Sequence, residues 1–406
     1  MRISIEKCTP AGTVAAPPSK SMAHRLLICG GLSEGRSVIR GIAPSEDVLA
    51  TLDCLQALGV TYTYAGDTVT VDGIGTPRGA AAPLPCRESG STLRFFLPLC
   101  MLGDGAATLY GSTTLLQRPL GVYRDLCARQ GIAFDNDGVR IAVSGRLTAG
   151  DYTLPGDVSS QFVTGLLFAL PLLEGDSRIV ITPPVESLSY VRMTVDALHT
   201  FGIDVGWEND HILAVKGGQR YQPREVAVEG DYSNAAFFAA LGSLGADVTV
   251  AGLNPHSLQG DQVYAHLLSQ LERGVPQIDL SDCPDLGPIL MAVAAAKQGA
   301  VFTGTRRLKL KESDRGTAMA EELRKFGVSV LVEDNRITVT PTAFHSPDGV
   351  LCGHNDHRIV MSLCVLLTLV GGTIDGAEAV RKSMPDFFDV LERLGVVIRC
   401  ETPSYS

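Results

Sequence analysis

Charged side chains crowd one stretch of the chain, residues 309–315, in which three cations and two carboxylates share seven positions. The stretch follows an apolar run at 300–303 that predicts a strand, and it precedes an amphipathic helix expected over 318–326. Free N–H groups and the dipole at a helix N-terminus favour an anion. A solvated charge cluster has the same composition. The stretch alone therefore leaves an anion site and a solvated loop as open interpretations.

Other charged loops in the second half of the chain also precede predicted helices. Arginines and lysines that converge from helix starts would bind a phosphate or a carboxylate, because guanidinium groups offer bidentate geometry. A carboxylate in such a basic pocket is either an ion-pair partner or a general acid or base. We assign Asp314 to an ion pair and regard Asp285 and Glu312 as candidates for proton transfer. The group also includes Asp282, Lys311, Arg315, Asn355, Asp356, His357, Arg358, Arg381 and Lys382.

Loops in the first half of the chain carry more hydroxyl and amide groups. Lys20 and Arg25 flank Ser21 at a predicted helix start, where the dipole would repel cations unless an anion lies between them. The sequence lacks the GxxxxGK[ST] pattern of a phosphate-binding loop. Together these side chains suit a polyhydroxylated, anionic ligand. The group also includes Gly90, Ser91, Arg94, Arg118, Ser159, Ser160, Gln161, Ser187 and Tyr190.

A repeated pattern positions these loops: a helix end, a glycine and a β-branched strand. Each glycine is predicted to be a left-handed residue that closes a helix. Pairs of short strands follow most of them, as at 61–64 and 68–71. The glycines lie at intervals of 72, 71, 72, 53 and 68 residues, at Gly59, Gly131, Gly202, Gly274, Gly327 and Gly395.

Six apolar stretches of helix length interleave with this pattern. They are apolar nearly all round, which places them inside a core, and small polar residues at their starts are good helix caps. The two series together predict six copies of one unit, which consists of a strand, a buried helix, a strand, an amphipathic helix and two strands. The short fourth interval between the glycines suggests that the copies form two sets of three. The stretches begin near Ser21, Gly90, Ser160, Ser233, Asp285 and Asp356.

We therefore predict an α/β protein of two similar lobes with a ligand in the cleft between them. The alternating segment and glycine at 226–231 is the candidate crossover. The N-terminal strand is expected to pair within the later half, because the last copy lacks a complete set of strands. The predicted lobes are 14–227 for the first, and 1–13 with 228–406 for the second.

Composition excludes several classes of protein. The net charge of −10 argues against a nucleic-acid partner, which demands a basic face. The ten cysteines form no CxxC pair, so neither a zinc site nor a disulfide framework is expected. The N-terminus does not have the pattern of a signal peptide, and the apolar runs are too short to cross a bilayer. We expect a cytoplasmic, monomeric protein without a membrane partner.

Taken together and in order, these motifs resemble the enolpyruvyl transferase family, and within it the 5-enolpyruvylshikimate-3-phosphate synthases. The resemblance covers nearly the whole chain. It implies two lobes, each of three βαβαββ repeats around buried helices in an inside-out barrel, with the active site in the inter-lobe cleft. The motifs are 18–21 with Arg25, 118–119, 159–161, Ser187 with Tyr190, 230–231, 284–285, 311–315, 356–358, and Lys382 with 385–386.

The resemblance also implies a reaction. The enolpyruvyl group of phosphoenolpyruvate would pass to the 5-hydroxyl of shikimate 3-phosphate by addition and elimination, releasing phosphate, on the route to chorismate and aromatic amino acids. Protonation at carbon and loss of phosphate need acids, bases and cations. Arg and Lys would neutralise the charges, so no metal and no cofactor is expected. Glyphosate is the family's inhibitor, and these residues leave the chain's sensitivity to it undecided.

Roles for single residues follow from the same resemblance. Asp285 would take the proton of the attacking hydroxyl, Glu312 would handle the proton at the methylene carbon, and Lys20 would contact both ligands. The residues expected around shikimate 3-phosphate are Lys20, Ser21, Arg25, Ser159, Ser160, Gln161, Ser187, Tyr190 and Asp285. Those expected around phosphoenolpyruvate are Lys20, Gly90, Ser91, Arg118, Gln161, Arg315, His357, Arg358 and Lys382.

One motif departs from the family pattern. Glu88-Ser-Gly-Ser91 stands where Asn-Ala-Gly-Thr is usual, so Glu88 either pairs with Arg87 or Arg94 or weakens phosphoenolpyruvate binding. A transferase acting on UDP-N-acetylglucosamine is the nearest rival, but it would show a Gly-Ala-Lys-Asn opening and a reactive cysteine loop. A binding protein without turnover would not need the acids Asp285 and Glu312. An RNA 3′-phosphate cyclase would need a basic groove.

Overall fold

The computed structural model describes residues 1–103 and 105–401. The chain divides into two compact units, each with its own hydrophobic core. One unit, here called the first lobe, is Pro18–Glu229. The other, the second lobe, joins Met1–Pro17 to the chain from Gly230 onward.

The α-helices and strands are numbered along the chain. The helices are α1 Lys20–Gly31, α2 Glu46–Ala57, α3 Gly90–Cys100, α4 Thr113–Leu116, α5 Gly121–Gln130, α6 Ser160–Ala169, α7 Leu188–Thr200, α8 Tyr232–Ser243, α9 Tyr264–Arg273, α10 Gly287–Ala296, α11 Arg315–Arg324, α12 His357–Val370 and α13 Phe387–Arg393. The strands are β1 Arg2–Ile5, β2 Ala11–Ala15, β3 Glu34–Arg40, β4 Thr61–Ala65, β5 Thr68–Ile74, β6 Leu84–Pro85, β7 Ala106–Tyr110, β8 Ala133–Asn136, β9 Arg140–Ser144, β10 Asp151–Pro155, β11 Ser177–Thr182, β12 Val205–Asn209, β13 Ile212–Val215, β14 Glu225–Ala227, β15 Asp247–Ala251, β16 Gln277–Asp279, β17 Ala300–Thr303, β18 Val328–Val332, β19 Arg336–Pro341, β20 Leu351–Cys352, β21 Gly372–Asp375 and β22 Ile398–Glu401.

Three four-stranded sheets form the first lobe, and they share one topology. Their orders are β14-β3-β5-β4, β6-β7-β9-β8 and β10-β11-β13-β12. In each sheet the first pair is parallel and the other pairs are antiparallel. A parallel pair needs a crossover, which a helix supplies. The predicted order of strand, helix, strand, helix and two strands is present in the sheets β6-β7-β9-β8 and β10-β11-β13-β12. In the remaining sheet the strand pair β4–β5 lies where it was expected, but the parallel partner of β3 is β14, from the end of the lobe and not from its start.

Buried helices α1, α3 and α6 form the centre of the first lobe. Most of their side chains are apolar, and most of their residues are buried, as the sequence predicts for helices that are hydrophobic on every side. Helices α3 and α6 approach closely at Gly165, where a Cβ atom would lie 2.3 Å from the carbonyl oxygen of Arg94. This packing brings the starts of α3 and α6 together.

The N-terminal strand belongs to the second lobe, as predicted. Strand β1 lies between β21 and β22 in the order β20-β21-β1-β22, where it completes the last repeat. A second sheet has the order β16-β17-β19-β18, and β2 pairs in parallel with β15. The repeat that contains α8 and α9 has this strand pair without a further hairpin among the described residues, which explains the short interval of 53 residues after Gly274.

Two local predictions are corrected. Gly274 has φ 160°, which is extended backbone and not the left-handed conformation expected there. The next residue, Val275, precedes Pro276 and therefore also favours extended backbone, so the chain does not turn back at this helix end. Helix α11 begins at Arg315 and not at 318, because the Asp314 side chain accepts a hydrogen bond from the backbone N–H of Thr317. Asp314 is therefore a helix cap, and among the described residues it forms no ion pair. The other five glycines of the pattern have positive φ as predicted.

Among the described residues, no helix is both long enough and apolar enough to span a membrane.

Candidate active site

Lys20 is the first residue of α1 in the first lobe. Ser19 caps this helix by accepting a hydrogen bond from the N–H of Met22. The ammonium group of Lys20 lies 2.7 Å from Oδ2 of Asp47, a residue in the first turn of α2. The sequence predicts Lys20 as a ligand-binding residue, but it does not single out Asp47.

Arg25 lies one turn further along α1 and is 2% exposed. Its Nε donates to Oγ1 of Thr194, and its two terminal nitrogens donate to the carbonyl oxygens of Ser21 and Tyr190. Burial lowers the pKa of this guanidinium to about 10. Arg25 thus ties α1 to the start of α7, and its contact with a ligand stays a prediction.

The starts of α3 and α6 meet through Gln161. Its amide nitrogen donates to the hydroxyl of Ser91 at 2.9 Å, and its amide oxygen accepts from Arg94 at 2.5 Å. A Cβ atom at Gly90 would lie 2.8 Å from a terminal nitrogen of Arg118. Glycine is therefore needed at position 90 for the Arg118 guanidinium to occupy its place. Four predicted phosphoenolpyruvate residues are close together here.

Other hydroxyl groups mark the starts of α6 and α7. Ser159 caps α6 by accepting from the N–H of Gln161. Ser160 is the first residue of α6 and is buried. Ser187 precedes α7, is fully buried and has a left-handed backbone with φ 54°. A positive φ is uncommon for a non-glycine residue and occurs often at functional sites.

Arg87 anchors the loop before α3 to the helix α2. It has φ 52°, and its guanidinium donates to Asp53 at 2.7 Å and also binds Glu46. Arg94 binds Gln161 and the carbonyl oxygen of Pro119. The departure from the family motif thus lies beside an arginine that α2 already holds in place.

In the second lobe, Asp285 lies among three cations. Its Oδ1 is 2.8 Å from a terminal nitrogen of Arg315 and 3.0 Å from Nζ of Lys311. Its Oδ2 is 3.3 Å from a terminal nitrogen of Arg358. Asp285 belongs to a short helical turn, Pro284–Leu286, that leads into α10. The predicted convergence of these residues within the lobe is present.

The charges around Asp285 shift its protonation. Burial alone raises the pKa of this carboxyl group, but Arg358, Lys311 and Arg315 together lower it well below its ordinary value. Burial lowers the pKa of Lys311, and the negative charge of Asp285 opposes that shift. Asp285 is therefore an ion-pair partner in this structure, and its cations must turn elsewhere before it can accept a proton readily.

Arg315 connects Asp285 to two further carboxylates. It is 1% exposed, and a terminal nitrogen donates to Oε2 of Glu312 at 2.5 Å. Its Nε donates to Oδ2 of Asp356 at 2.8 Å. Asp356 also caps α12 by accepting from the N–H of Arg358. One buried arginine thus holds both candidate proton-transfer residues.

Lys382 and His357 complete the predicted set in this lobe. The ammonium group of Lys382 donates to the carbonyl oxygen of Asn355 at 2.6 Å. His354 and Asn355 both have positive φ, so an unusual turn leads into α12. His357 is the first residue of α12, is 1% exposed and lies 3.9 Å from Asp356.

One group of side chains among the described residues has the composition of a metal site. Ligand atoms of Glu321, Glu322 and His354 lie within 4.8 Å of one another. Glu322 already accepts hydrogen bonds from Lys325, from His354 and from the N–H of Cys352. These bonds connect α11 to the turn before α12, and they account for the cluster without a metal ion.

Comparisons with known proteins bear on the whole chain. Residues 8–391 match the model of a family described as EPSP synthase (3-phosphoshikimate 1-carboxyvinyltransferase). A protein of Clostridium kluyveri named 3-phosphoshikimate 1-carboxyvinyltransferase is 38% identical over 97% of both chains. This chain belongs to the EPSP synthase family. A Clostridium beijerinckii protein of the same name is 36% identical, over 95% of this chain and 96% of its own.

Solved structures support the fold of the EPSP synthase family for this chain. An EPSP synthase from Acinetobacter baumannii matches with a TM-score of 0.81 at 24% identity, covering 99% of this chain and 100% of its own. The enolpyruvyl transferase NikO from Streptomyces tendae matches with a TM-score of 0.76 at 17% identity, over 98% of both chains. The predicted family and fold class are both confirmed.

Proposed function

We propose that this chain transfers the enolpyruvyl group of phosphoenolpyruvate to the 5-hydroxyl of shikimate 3-phosphate, releasing inorganic phosphate. Membership of the EPSP synthase family over nearly the full length carries the proposal. The site geometry supports it, because each lobe gathers its predicted residues at the starts of its buried helices.

Shikimate 3-phosphate is assigned to the first lobe. Lys20, Ser21, Ser160 and Ser187 lie at or beside the starts of α1, α6 and α7, where N–H groups and hydroxyls favour a phosphate. Arg25 holds α1 to α7 and so fixes the spacing between two of these starts. The remaining predicted contacts of this ligand are Ser159, Gln161 and Tyr190 in the first lobe and Asp285 in the second.

Phosphoenolpyruvate is assigned to residues from both lobes. Arg118 in the first lobe, and Arg315, Arg358 and Lys382 in the second, would neutralise its carboxylate and phosphate. The neutral amide of Gln161 would donate a hydrogen bond to it. Arg315 and Arg358 hold Asp285 in this structure. When they turn toward the ligand anions, their attraction for Asp285 weakens, and the carboxylate becomes a better base.

The proposed chemistry has two stages. In the addition, the C5 oxygen of shikimate 3-phosphate bonds to C2 of phosphoenolpyruvate, C3 gains a proton from Glu312, and the hydroxyl proton passes to Asp285. In the elimination, the C2–O bond to phosphate breaks, and C3 returns a proton to Glu312, which restores the double bond. The proton held by Asp285 passes to the departing phosphate, so both carboxyl groups return to their starting states. Lys20 and the arginines stabilise the phosphate that leaves.

The formal net charge of −10 disfavours nucleic acid as a partner. We propose that the enzyme acts in the cytoplasm as a monomer and that it needs neither a metal nor a cofactor. The lysines and arginines of the site supply the positive charge that the two anionic substrates require.

The test is to supply the purified chain with both substrates and follow phosphate release and product mass. We expect phosphate and a product, equal in amount, whose mass is that of the two substrates less phosphoric acid. Phosphate release with UDP-N-acetylglucosamine but not with shikimate 3-phosphate would assign the chain to the rival transferase. Binding of both substrates with no product would support a non-catalytic binding protein instead.

A further inference from the structure

A carboxylate outside the predicted set contacts Lys20. Oδ2 of Asp47 is 2.7 Å from Nζ of Lys20, and the two side chains are 11% and 14% exposed. We propose that Asp47 is a positioning residue, which holds the Lys20 ammonium group in place for enolpyruvyl transfer. The inference rests on the proposed function, since Lys20 is the residue expected to contact both substrates.

The charges of two helix starts favour this arrangement. Lys20 begins α1, where the helix dipole opposes a positive side chain. Asp47 lies in the first turn of α2, where the dipole favours a negative side chain. The ion pair therefore offsets the repulsion at α1 before any ligand arrives, and it keeps the ammonium group near the helix start.

Asp47 is itself fixed by the buried polar groups around it. Its carbonyl oxygen accepts a hydrogen bond from the hydroxyl of Thr92 on α3. The Thr92 hydroxyl is 2.9 Å from that of Thr51, which is 2.7 Å from Nδ1 of His24 on α1. This chain of hydroxyls links α1, α2 and α3. Because the anchor is rigid, the long Lys20 side chain loses little further freedom when substrate binds.

A purely structural ion pair between α1 and α2 is the alternative. Such a pair would affect the stability of the lobe but would not act through the Lys20 ammonium group during turnover. The neighbouring carboxylate Glu46 binds Arg87 instead, so the two acidic residues at this helix start have different partners. A kinetic test on Lys20 and Asp47 together separates the two explanations.

The experiment compares Asp47→Asn with the wild-type chain, and the same change in a Lys20→Ala background. We expect Asp47→Asn to lower kcat at least about tenfold while the thermal midpoint stays within a few degrees. In the Lys20→Ala background the same change should lower kcat no further, because Asp47 acts through Lys20. Asp47→Glu, which keeps the charge, should retain more activity than Asp47→Asn. Asp72→Asn removes an exposed ion pair with Arg36 in the same lobe and serves as the matched control.

Each other outcome counts against the positioning role. Wild-type turnover by Asp47→Asn overturns it, as does an equal loss of kcat with and without Lys20. Loss of the cooperative thermal transition in Asp47→Asn would show that the pair mainly holds the helices together. Absence of turnover in the wild-type chain would instead contradict the proposed function, so the two failures are distinguishable.

Discussion

At the scale of single residues, the site combines carboxylates with cations that control them. Asp285 and Glu312 both bind Arg315, a side chain that is 1% exposed. Arg315 also binds Asp356, so it keeps charged partners when one of the two acids is replaced by its amide. Asp314 has a different role, because it caps α11 and does not bind this arginine.

Glu312→Gln should leave the fold intact and lower kcat by roughly two orders of magnitude or more, because the amide cannot transfer a proton. Steady-state kinetics with both substrates measures the loss, and circular dichroism checks the fold. Glu321→Gln, on the exposed face of α11, is the control and should turn over normally. Near-normal rates in Glu312→Gln would refute the proton-transfer role.

The buried side chain of His24 should make the free energy of unfolding depend on pH. Burial lowers its pKa well below 6.5, and the charges of Lys20 and Arg25 add to the effect. The folded chain therefore keeps His24 neutral, whereas the unfolded chain takes up a proton below pH 6.5. Stability present above that pH is lost as the pH falls. Relative to His24→Gln, the wild-type chain should lose about 2 kcal/mol of unfolding free energy between pH 7.5 and 5.

Denaturant unfolding of both chains at the two pH values gives the His24 contribution by difference. Using the difference removes the effects of other groups, such as Asp261, whose pKa burial raises to about 7. Parallel pH profiles for wild type and His24→Gln would show that the histidine does not titrate differently in the two states.

Sequence patterns identified most candidate residues but not their contacts. Asp47 was missed because an acidic residue in the first turn of a helix is ordinary capping, and its partner Lys20 lies on another helix. Asp314 was assigned to an ion pair because it is surrounded by cations in sequence, yet its own helix start uses it as a cap. The partner that a side chain binds depends on where the side chain points in the folded protein, and the spacing of residues along the chain does not give that direction.

At the scale of elements, close packing of α3 against α6 holds the start of α3 at Gly90 near the start of α6, where Gln161 lies. Gly165→Ala would place a Cβ atom 2.3 Å from the Arg94 carbonyl oxygen and the Tyr123 hydroxyl. Overpacking outweighs the gain in helix propensity, so we expect a loss on the order of 2 kcal/mol in unfolding free energy. Phosphoenolpyruvate binding should also weaken, because the two helix starts separate.

Chemical denaturation measures the effect of Gly165→Ala, and Gly206→Ala in β12 is its control. A Cβ at Gly206 would meet no atom within 4 Å, so this change should be nearly neutral. Equal stability of the two variants would mean that α3 and α6 adjust freely to one another.

Helix and strand order could be predicted well because periodicity and glycine positions are local signals. The strand pair β4–β5 and the cap at Asp356 follow from residues within a few positions. The prediction of a left-handed glycine is wrong at Gly274, because the backbone there is extended and continues away from the helix end. The sequence predicts the start of α11 at residue 318 and not at Arg315. Its cap, Asp314, is one of several charged residues in the stretch 309–315 and does not stand out as a cap.

At the scale of the whole molecule, the two ends of the chain meet in one sheet. Strand β1 occupies an inner position between β21 and β22, and Ile3 and Ile5 are buried. Removing residues 1–7 should therefore unpair both neighbours and expose β21 and β22 to solvent. Faster amide hydrogen exchange at 372–375 and 398–401, with the first lobe unchanged, is the expected result. Unchanged protection of β21 would contradict the assigned topology.

The repeat count and the return of the N-terminus to the later half could both be predicted, because they follow from intervals and from an incomplete final copy. The ligand that each lobe binds could not, because it depends on side-chain contacts between segments far apart in the sequence.

In the proposed reaction, the two substrates first form an adduct and phosphate is then eliminated. Glu312 protonates C3 of phosphoenolpyruvate in the addition step, and this is the step on which the mechanism depends. Running the reaction in deuterium oxide tests it most directly, by mass spectrometry of the product's methylene group. The intermediate would carry a methyl group with one deuterium, and loss of either isotope would leave deuterium in part of the product. We predict that enrichment, together with phosphate release that requires shikimate 3-phosphate. Product formed at the normal rate with no deuterium in its methylene group would contradict the account.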